Sequence, residues 1–486
     1  MTRPFSAARY ARLLEGLEIS EALRSYVIST DKTERLDAEF YQKAGLNFDV
    51  LLAGVHCKNL KNMTEKIDVG FVGSMASQYS DNVDDTFLLQ TQNISEFFIN
   101  NNEVKRIRQD FHIKLKKSQI HYGDILIARS GSFGKASIYL EHEIINSADI
   151  IIVKANDNVI NKFYLVCYLN SACGKMQMLR FASGGLQGHV NLTILENLKV
   201  PLLDVKIQRK VEQVILSAYT SQKAAINHYR EAEQFLLHEL GLEGWQPPEP
   251  LTYARRASEV FANERLDAEH FQPKFDAAIL QMKAQSYLME RLGDLIEPVF
   301  NGWDCRDFRE DGIPYIRVAD IRDGRIKFET AARVPISMAD ITKDISLRVG
   351  DVLFTRKGSF GNAAHVREGE EHVIISSEIM LIRLKPEWKE RLQPEFLSLY
   401  FNSVAGALQS EQWAHGVAFY SITQADLLRF QIPILPLSTQ TQIKFHLEQA
   451  HHARQEAQTL LAKAKRAVEV AIEEGEAAAL AYLAND

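Results

Sequence analysis

The sequence predicts an α+β protein: two similar mixed α/β domains joined by two long helices that form an antiparallel coiled coil, with a pseudo-twofold internal repeat. Three observations predict it. Short motifs recur in the same order at offsets of 230, 227 and 232 residues. Each copy is followed by a long proline-free stretch with apolar residues at helical spacing. The length, 486 residues of which 46% are hydrophobic, suffices for two or three domains with ordinary cores.

The repeat is legible directly. ERLDAEFYQ at Glu34 to Gln42 returns as ERLDAEHFQ at Glu264 to Gln272, seven of nine positions identical, and GDILIARSGSFG from Gly123 to Gly134 returns as GDVLFTRKGSFG from Gly350 to Gly361, eight of twelve identical. The pairs Tyr168-Leu169-Asn170-Ser171 with Tyr400-Phe401-Asn402-Ser403, and Val200-Pro201 with Ile432-Pro433, follow in the same order. A unit this long excludes a short-period solenoid and implies two globular domains. Between the markers, Val69 to Gln119 shows little likeness to Leu292 to Arg348, and the pattern IPYIRVADI of the second copy has no evident counterpart in the first. A shared frame with dissimilar inserts suits two binding domains for different ligands.

The helices follow each copy. Ile207, Val211, Val214, Ala218, Ala225, Ala232 and Phe235 trace one helical face, and Ile443, Leu447, Ala450, Ala457, Leu461, Ala464, Val468 and Ala471 trace a second with many alanines. At 1.5 Å per residue the first helix would be roughly 55 Å long, and because alanine at such a seam permits close approach, the two helices are expected to pair with each other. The turn Gly241 to Pro250 stops the first helix with glycine and prolines. The expected division is an N-terminal extension over 1–33, domains over 34–202 and 264–434, helices over 203–243 and 435–486, and a linker over 244–263. The acidic residues Glu469, Glu473, Glu474, Glu476 and Asp486 suit protein contact or solubility rather than DNA contact.

Composition narrows the function. Cys57, Cys167, Cys173 and Cys305 stand without a CxxC pair or nearby histidine cluster, so neither a zinc site nor a disulfide framework is expected, and they read as reduced core thiols of a cytoplasmic protein. No run of about 18 apolar residues suggests a membrane span. A net charge of −7 disfavours an indiscriminate coat on DNA and requires local basic patches for any DNA contact. No glycine-rich cofactor loop with DPPY or NPPY, and no HExxH, GxSxG or Walker sequence, is present, so no catalytic residue is expected.

Candidate DNA-binding residues lie in four places. Arg106, Arg108, Lys114, Lys116 and Lys117, with Lys105, give Asn101 to His121 a net charge of +4 against Glu103 and Asp110. Each GSFG segment reads as a turn between strands of alternating polarity. It offers Arg129, Ser130, Ser132 and Lys135 in the first copy, and Arg356, Lys357 and Ser359 in the second. The two arginines are suited either to phosphate or guanine edges or to structural ion pairs with Asp124 and Asp351. Arg317, Arg322 and Arg325 flank a turn at Asp323-Gly324. The loops GGLQGHVN and QWAHGVAFYS carry Gln187, His189, Asn191, His415 and Tyr420, side chains able to read base edges or phosphates.

The ordered set ERLDAE(F/H), GD(I/V)L(I/F)xRxGSFG, (I/V)P with Gln208 or Gln440 seven residues later, and a terminal long helix resembles the specificity subunits of Type I restriction-modification enzymes. The resemblance implies a non-catalytic, sequence-specific binder of double-stranded DNA. Each insert would be a target recognition domain reading one half of a split, asymmetric target, with the paired helices as a spacer. It also implies a scaffold for two adenine methyltransferase subunits and for ATP-driven translocase-nuclease subunits, with S-adenosylmethionine, ATP and Mg2+ used by those partners and no cofactor in this chain. The alternative is a bipartite DNA-reading adaptor of another phage-defence methyltransferase or nuclease system, or an orphan specificity subunit.

Overall fold

A continuous apolar run such as Ile125–Ala128 forms a strand only where both of its faces are covered, and here both are. In the computed structural model, which describes residues 24, 25, 27, 38–129, 134–181, 192–342, 345–416 and 419–484, Ile125 and Ile127 enter one core while Leu126 and Ala128 enter another. Val352–Thr355 behaves likewise, with Val352 and Phe354 on one side and Leu353 on the other. The expected alternation of polarity is therefore replaced by burial on both faces.

The chain divides into two units, 1–222 with 454–486 and 223–453. In the first, an antiparallel sheet has the order Thr64–Val69, Ile150–Ala155, Ile125–Ala128, Ala136–Ile138. In the second, the order is Phe300–Asn301, Ile379–Ile382, Val352–Thr355, Ala363–His365, the same topology made from equivalent segments. The last two strands of each order flank the GSFG segment, which is entered through Gly123 or Gly350, both at φ 88.

The repeated residues hold this frame together. Asn170 brackets Ala136, accepting from its N–H at 3.1 Å and donating to its carbonyl at 2.7 Å; Asn402 does the same to Ala363 at 2.9 and 2.8 Å. The hydroxyls of Tyr168 and Tyr400 donate to the carbonyls of Lys199 and Gln431. The amides of Gln177 and Gln409 complete each knot by pairing with the same two residues' backbones. Gln208 and Gln440, buried on the two long helices, accept from the N–H groups of Asn161 and Gln393 and donate to the carbonyls of Leu203 and Leu435. The large majority of buried polar side chains in folded proteins are satisfied in this way.

Helices Lys162–Asn170 and Ala172–Phe181 meet at Ser171, and Pro394–Asn402 and Val404–Trp413 meet at Ser403. A β-carbon on Gly406 would stand 2.4 Å from the carbonyl oxygens of Tyr400 and Phe401, and one on Gly174 2.2 Å from that of Tyr168. Backbone cannot yield as a side-chain tip does. Gly406→Ala is expected to destabilise the second unit by about 1–3 kcal/mol, read as a lower denaturation midpoint.

The first long helix is Val205–Glu239 and the second Leu437–Glu473. Gly475 at φ 98 then separates a short helix, Glu476–Ala484. Within the first unit the two run antiparallel, with Glu476 accepting from the Asp204 N–H and Ser221 donating to Glu456. Their seam there buries Ile207, Val211, Ile215 and Ala218 with Ala457, Ala464, Val468 and Ala471. Within the second unit Ala232, Leu236 and Leu240 share a core with Ile443 and Leu447. Val214, Phe235 and Leu461, expected on the seam, are partly buried beside it.

The acidic terminal segment is structural rather than free. Glu469 accepts from the first N–H of the helix Ala172–Phe181 at 2.9 Å, where a carboxylate favours the helix start, and Arg466 pairs with Glu469 and Glu473. All four cysteines are free thiols; burial pushes Cys173 up to about 12. Among the described residues no helix is long and apolar enough to cross a membrane.

Candidate nucleic-acid interface

The inserts are where the units diverge. The first carries a five-stranded sheet in which Thr86–Leu89 runs parallel to Ile145–Ser147. The second has a three-stranded sheet, in which Ile313–Ile316 runs parallel to Ile374–Ile375, and a separate hairpin, Ile321–Arg322 with Arg325–Ile326. The pattern IPYIRVADI does have a counterpart, namely TFLLQTQNI. Each parallel strand ends in a 3-10 turn, Thr91–Asn93 or Val318–Asp320. The N–H of Gln90 donates to Asn93 and that of Arg317 to Asp320, both at 2.9 Å.

In the second unit the GSFG turn and the loop after Trp413 are stitched together. The Ile422 N–H donates to the Arg356 carbonyl at 2.9 Å, and His415 and Ser421 exchange two backbone bonds of 2.8 Å. Gly358 at φ 71 and Gly361 at φ 85 shape the turn. Its tip is set by Thr355 and Asn362, whose side chains both donate to the Ser359 carbonyl. Arg322, from the insert hairpin, donates to the Ser359 hydroxyl at 2.7 Å, and the rings of Phe360 and Tyr420 lie 6.4 Å apart. Arg322, Arg356, Lys357, Ser359, His415 and Tyr420 are thus linked into one surface, with Lys357 and Ser359 exposed and Tyr420 50% exposed. Phe419, 78% exposed beside Tyr420, escaped sequence reasoning because nothing distinguishes it from a core aromatic.

Arg317 and Arg325 are engaged elsewhere. Arg317 pairs with the fully buried Asp320 and reaches the Thr330 carbonyl, while Arg325 pairs with Glu329 at 2.9 Å. His415 is oriented by Asp426, 2.9 Å from its Nε2. Behind the turn lies a cavity of about 430 Å³ lined by Phe360, Gly361, Asn362, Tyr229 and Glu233, where burial holds the Glu233 carboxyl above its usual range.

The structural ion pairs considered for the two GSFG arginines are not the ones formed. Arg129 pairs with Asp149 at 3.1 Å rather than Asp124, and Asp351 is taken by Arg383 rather than Arg356. The side chain of Arg356 instead sits near the Ile422 carbonyl, 3.4 Å away.

In the first unit much of the basic tract is neutralised locally. Arg108 and Lys114 share Asp110, Lys117 pairs with Asp68, and Arg106 stacks on Phe87 at 3.9 Å while donating to the Asp85 carbonyl. Lys105 lies over the Tyr79 ring at 4.4 Å. Burial raises the Asp68 carboxyl, but the ammonium groups of Lys66 and Lys117 outweigh it and hold the group below its usual range. Lys116 is exposed and Lys135 half-buried. Ser130, Ser132, Gln187, His189 and Asn191 lie outside the described residues.

Comparison with known proteins agrees with this duplicated plan. The family pattern described as Type I restriction modification DNA specificity domain matches residues 82–234 and again 289–458. The Type I restriction enzyme EcoBI specificity subunit of Escherichia coli is 27% identical over 140 residues, a match spanning 29% of this chain and 29% of that relative. Among solved structures, the S subunit of a Type I restriction-modification system from M. genitalium is 11% identical, covering 89% of this chain and 96% of its own at a TM-score of 0.38. The HsdS subunit from Thermoanaerobacter tengcongensis is 15% identical, covering 87% and 96% at a TM-score of 0.27. With two matches that together take in more than half of its residues, the chain belongs to the Type I restriction modification DNA specificity domain family.

Proposed function

We propose that this chain is the non-catalytic DNA-reading subunit of a Type I restriction-modification enzyme, in which each unit reads one half of a split, asymmetric target. The observation that carries the reading is one frame built twice, with the same sheet order and the same buried amide knots, around two inserts of different topology. A duplicated scaffold with unlike inserts presents two unlike surfaces, and base sequence is read by such surfaces while phosphate contacts fix their register. In the second unit the surface centred on Arg322, Arg356, Lys357, Ser359, His415 and Tyr420 supplies cations, donors and an aromatic ring for that purpose. In the first, the tract containing Arg106, Arg108, Lys114, Lys116 and Lys117, with the GSFG turn and Arg129 and Lys135, is the corresponding candidate.

Catalysis belongs to partners in this reading. Two adenine methyltransferase subunits using S-adenosylmethionine, and restriction subunits using ATP and Mg2+, would assemble on the frame and the long helices, which hold the half-sites at a fixed separation. The family's own description specifies DNA specificity and no chemistry. The test is an insert exchange: residues 292–429 are replaced by the equivalent segment of a relative, and methylated positions are mapped in the DNA of cells carrying the assembled enzyme. One half of the modified target is expected to change while the other is retained. A change in both halves, or in neither, would overturn the division of labour.

A further inference from the structure

We propose that the long helices of the second unit carry a transition-metal site formed by His228, Glu231 and His446. His228 and Glu231 stand three residues apart on Val205–Glu239, a spacing that places both on one face, and His446 comes from Leu437–Glu473. One ligand atom from each of the three lies within 4.8 Å of the others. The Nδ1 atoms of both imidazoles approach the same carboxylate oxygen, Oε2 of Glu231, at 3.0 and 3.1 Å. Around tetrahedral zinc, with bonds of about 2.0–2.2 Å, neighbouring ligand atoms stand about 3.4 Å apart, so small side-chain rotations would seat an ion.

A hydrogen-bonded cluster explains only part of this arrangement. His228 makes a good bond to Glu231, but Nδ1 of His446 is buried and has no hydrogen-bond partner despite facing the same oxygen. Burying a polar atom without a partner costs free energy that a coordinate bond would recover. A cation would take the Nδ1 lone pair of each ring, leaving the proton on Nε2, and a carboxylate oxygen as third ligand. The side chains keep 34%, 51% and 30% of their exposure, which gives the ion an entry path and lets water complete the coordination. Lys444, two residues before His446 on the second helix, is committed to Glu395 and Glu448. Two imidazoles with one carboxylate suit Zn2+, Ni2+ or Co2+, whereas Mg2+ prefers oxygen ligands and its own water.

The bound ion would tie the two helices together where they share the seam of Ala232, Ile443 and Leu447. The test uses the full chain without a histidine tag, stripped with EDTA and titrated with ZnCl2 by calorimetry. One equivalent is expected to bind, and zinc at a hundredfold excess over Kd is expected to raise Tm by about 5 °C or more. Co2+ should give the visible absorption of a tetrahedral site. His446→Gln and Glu231→Gln should each weaken zinc binding at least tenfold, with metal-free circular dichroism unchanged, while His452→Gln on the exposed flank should leave it intact. Absence of zinc binding to the parent chain, or undiminished binding in both His446→Gln and Glu231→Gln, would overturn the assignment.

Discussion

Replacing Asp351 with alanine is expected to cost the second unit about 3–5 kcal/mol, because it removes one partner of a buried ion pair and strands the other. The Asp351 carboxylate is 2% exposed and holds Arg383 by two bonds of 2.8 and 2.7 Å. It also accepts from the Arg348 N–H at 2.7 Å, closing the turn that starts the central strand of the frame. Asp124 occupies the same turn in the first unit and accepts from the His121 N–H at 2.8 Å, but among the described residues no arginine pairs with it. Burial accordingly holds its carboxyl above the usual range.

A folded pKa raised above its unfolded value means stability that is complete below the ordinary carboxylate range and is lost as pH rises through the raised value. Asp124→Asn is therefore expected to be close to neutral, within about 1 kcal/mol at pH 7, and to fall behind the parent on acidification. Denaturant unfolding of both variants between pH 4 and pH 7 checks this. A cost for Asp351→Ala no larger than that of Asp124→Asn would show that the Arg383 pair contributes little.

Removing Arg322, Arg356 and Lys357 together, each to alanine, is expected to weaken DNA binding of the assembled enzyme about 10²–10³-fold near physiological salt. If these cations meet phosphates, the slope of log affinity against log salt falls by about one for each phosphate left without its cation. If Arg356 or Arg322 meets a guanine edge, the preference for target over random duplex shrinks as well, by about 1–3 kcal/mol for each base so read. Fluorescence anisotropy on both duplexes over a range of KCl concentrations separates the two cases. Unchanged affinity and slope would exclude this surface. Arg325→Ala is the useful contrast, since Arg325 is already paired with Glu329.

The frame was legible in the sequence because the residues that repeat are the ones the frame cannot exchange. Gly123 and Gly350 adopt the same left-handed φ, and Asn170 and Asn402 make the same paired bonds to backbone. Such geometry tolerates few substitutes, so identity survived in the letters. The equivalence of TFLLQTQNI and IPYIRVADI was not legible, because a turn that needs only an acceptor three residues on is satisfied equally by asparagine and aspartate.

The local neutralisation of the basic tract was hidden for a related reason. Its charge count took no account of Asp68, which lies outside the tract in sequence yet pairs with Lys117, nor of the Asp85 carbonyl bound by Arg106. The histidine-carboxylate trio was equally hidden, since His446 reaches His228 and Glu231 only through the pairing of helices far apart in the chain.

The interleaving of the two units has a bearing on how the chain responds to cleavage. The exposed, proline-rich turn after Gly241 lies inside the second unit, which begins at residue 223, and the first unit needs residues 454–486. A protease nick there yields two fragments, and neither holds all of one unit. Each fragment retains one long helix whose apolar seam only the other can cover, so the nicked polypeptide stays joined without a covalent link and its halves should complement each other when expressed separately.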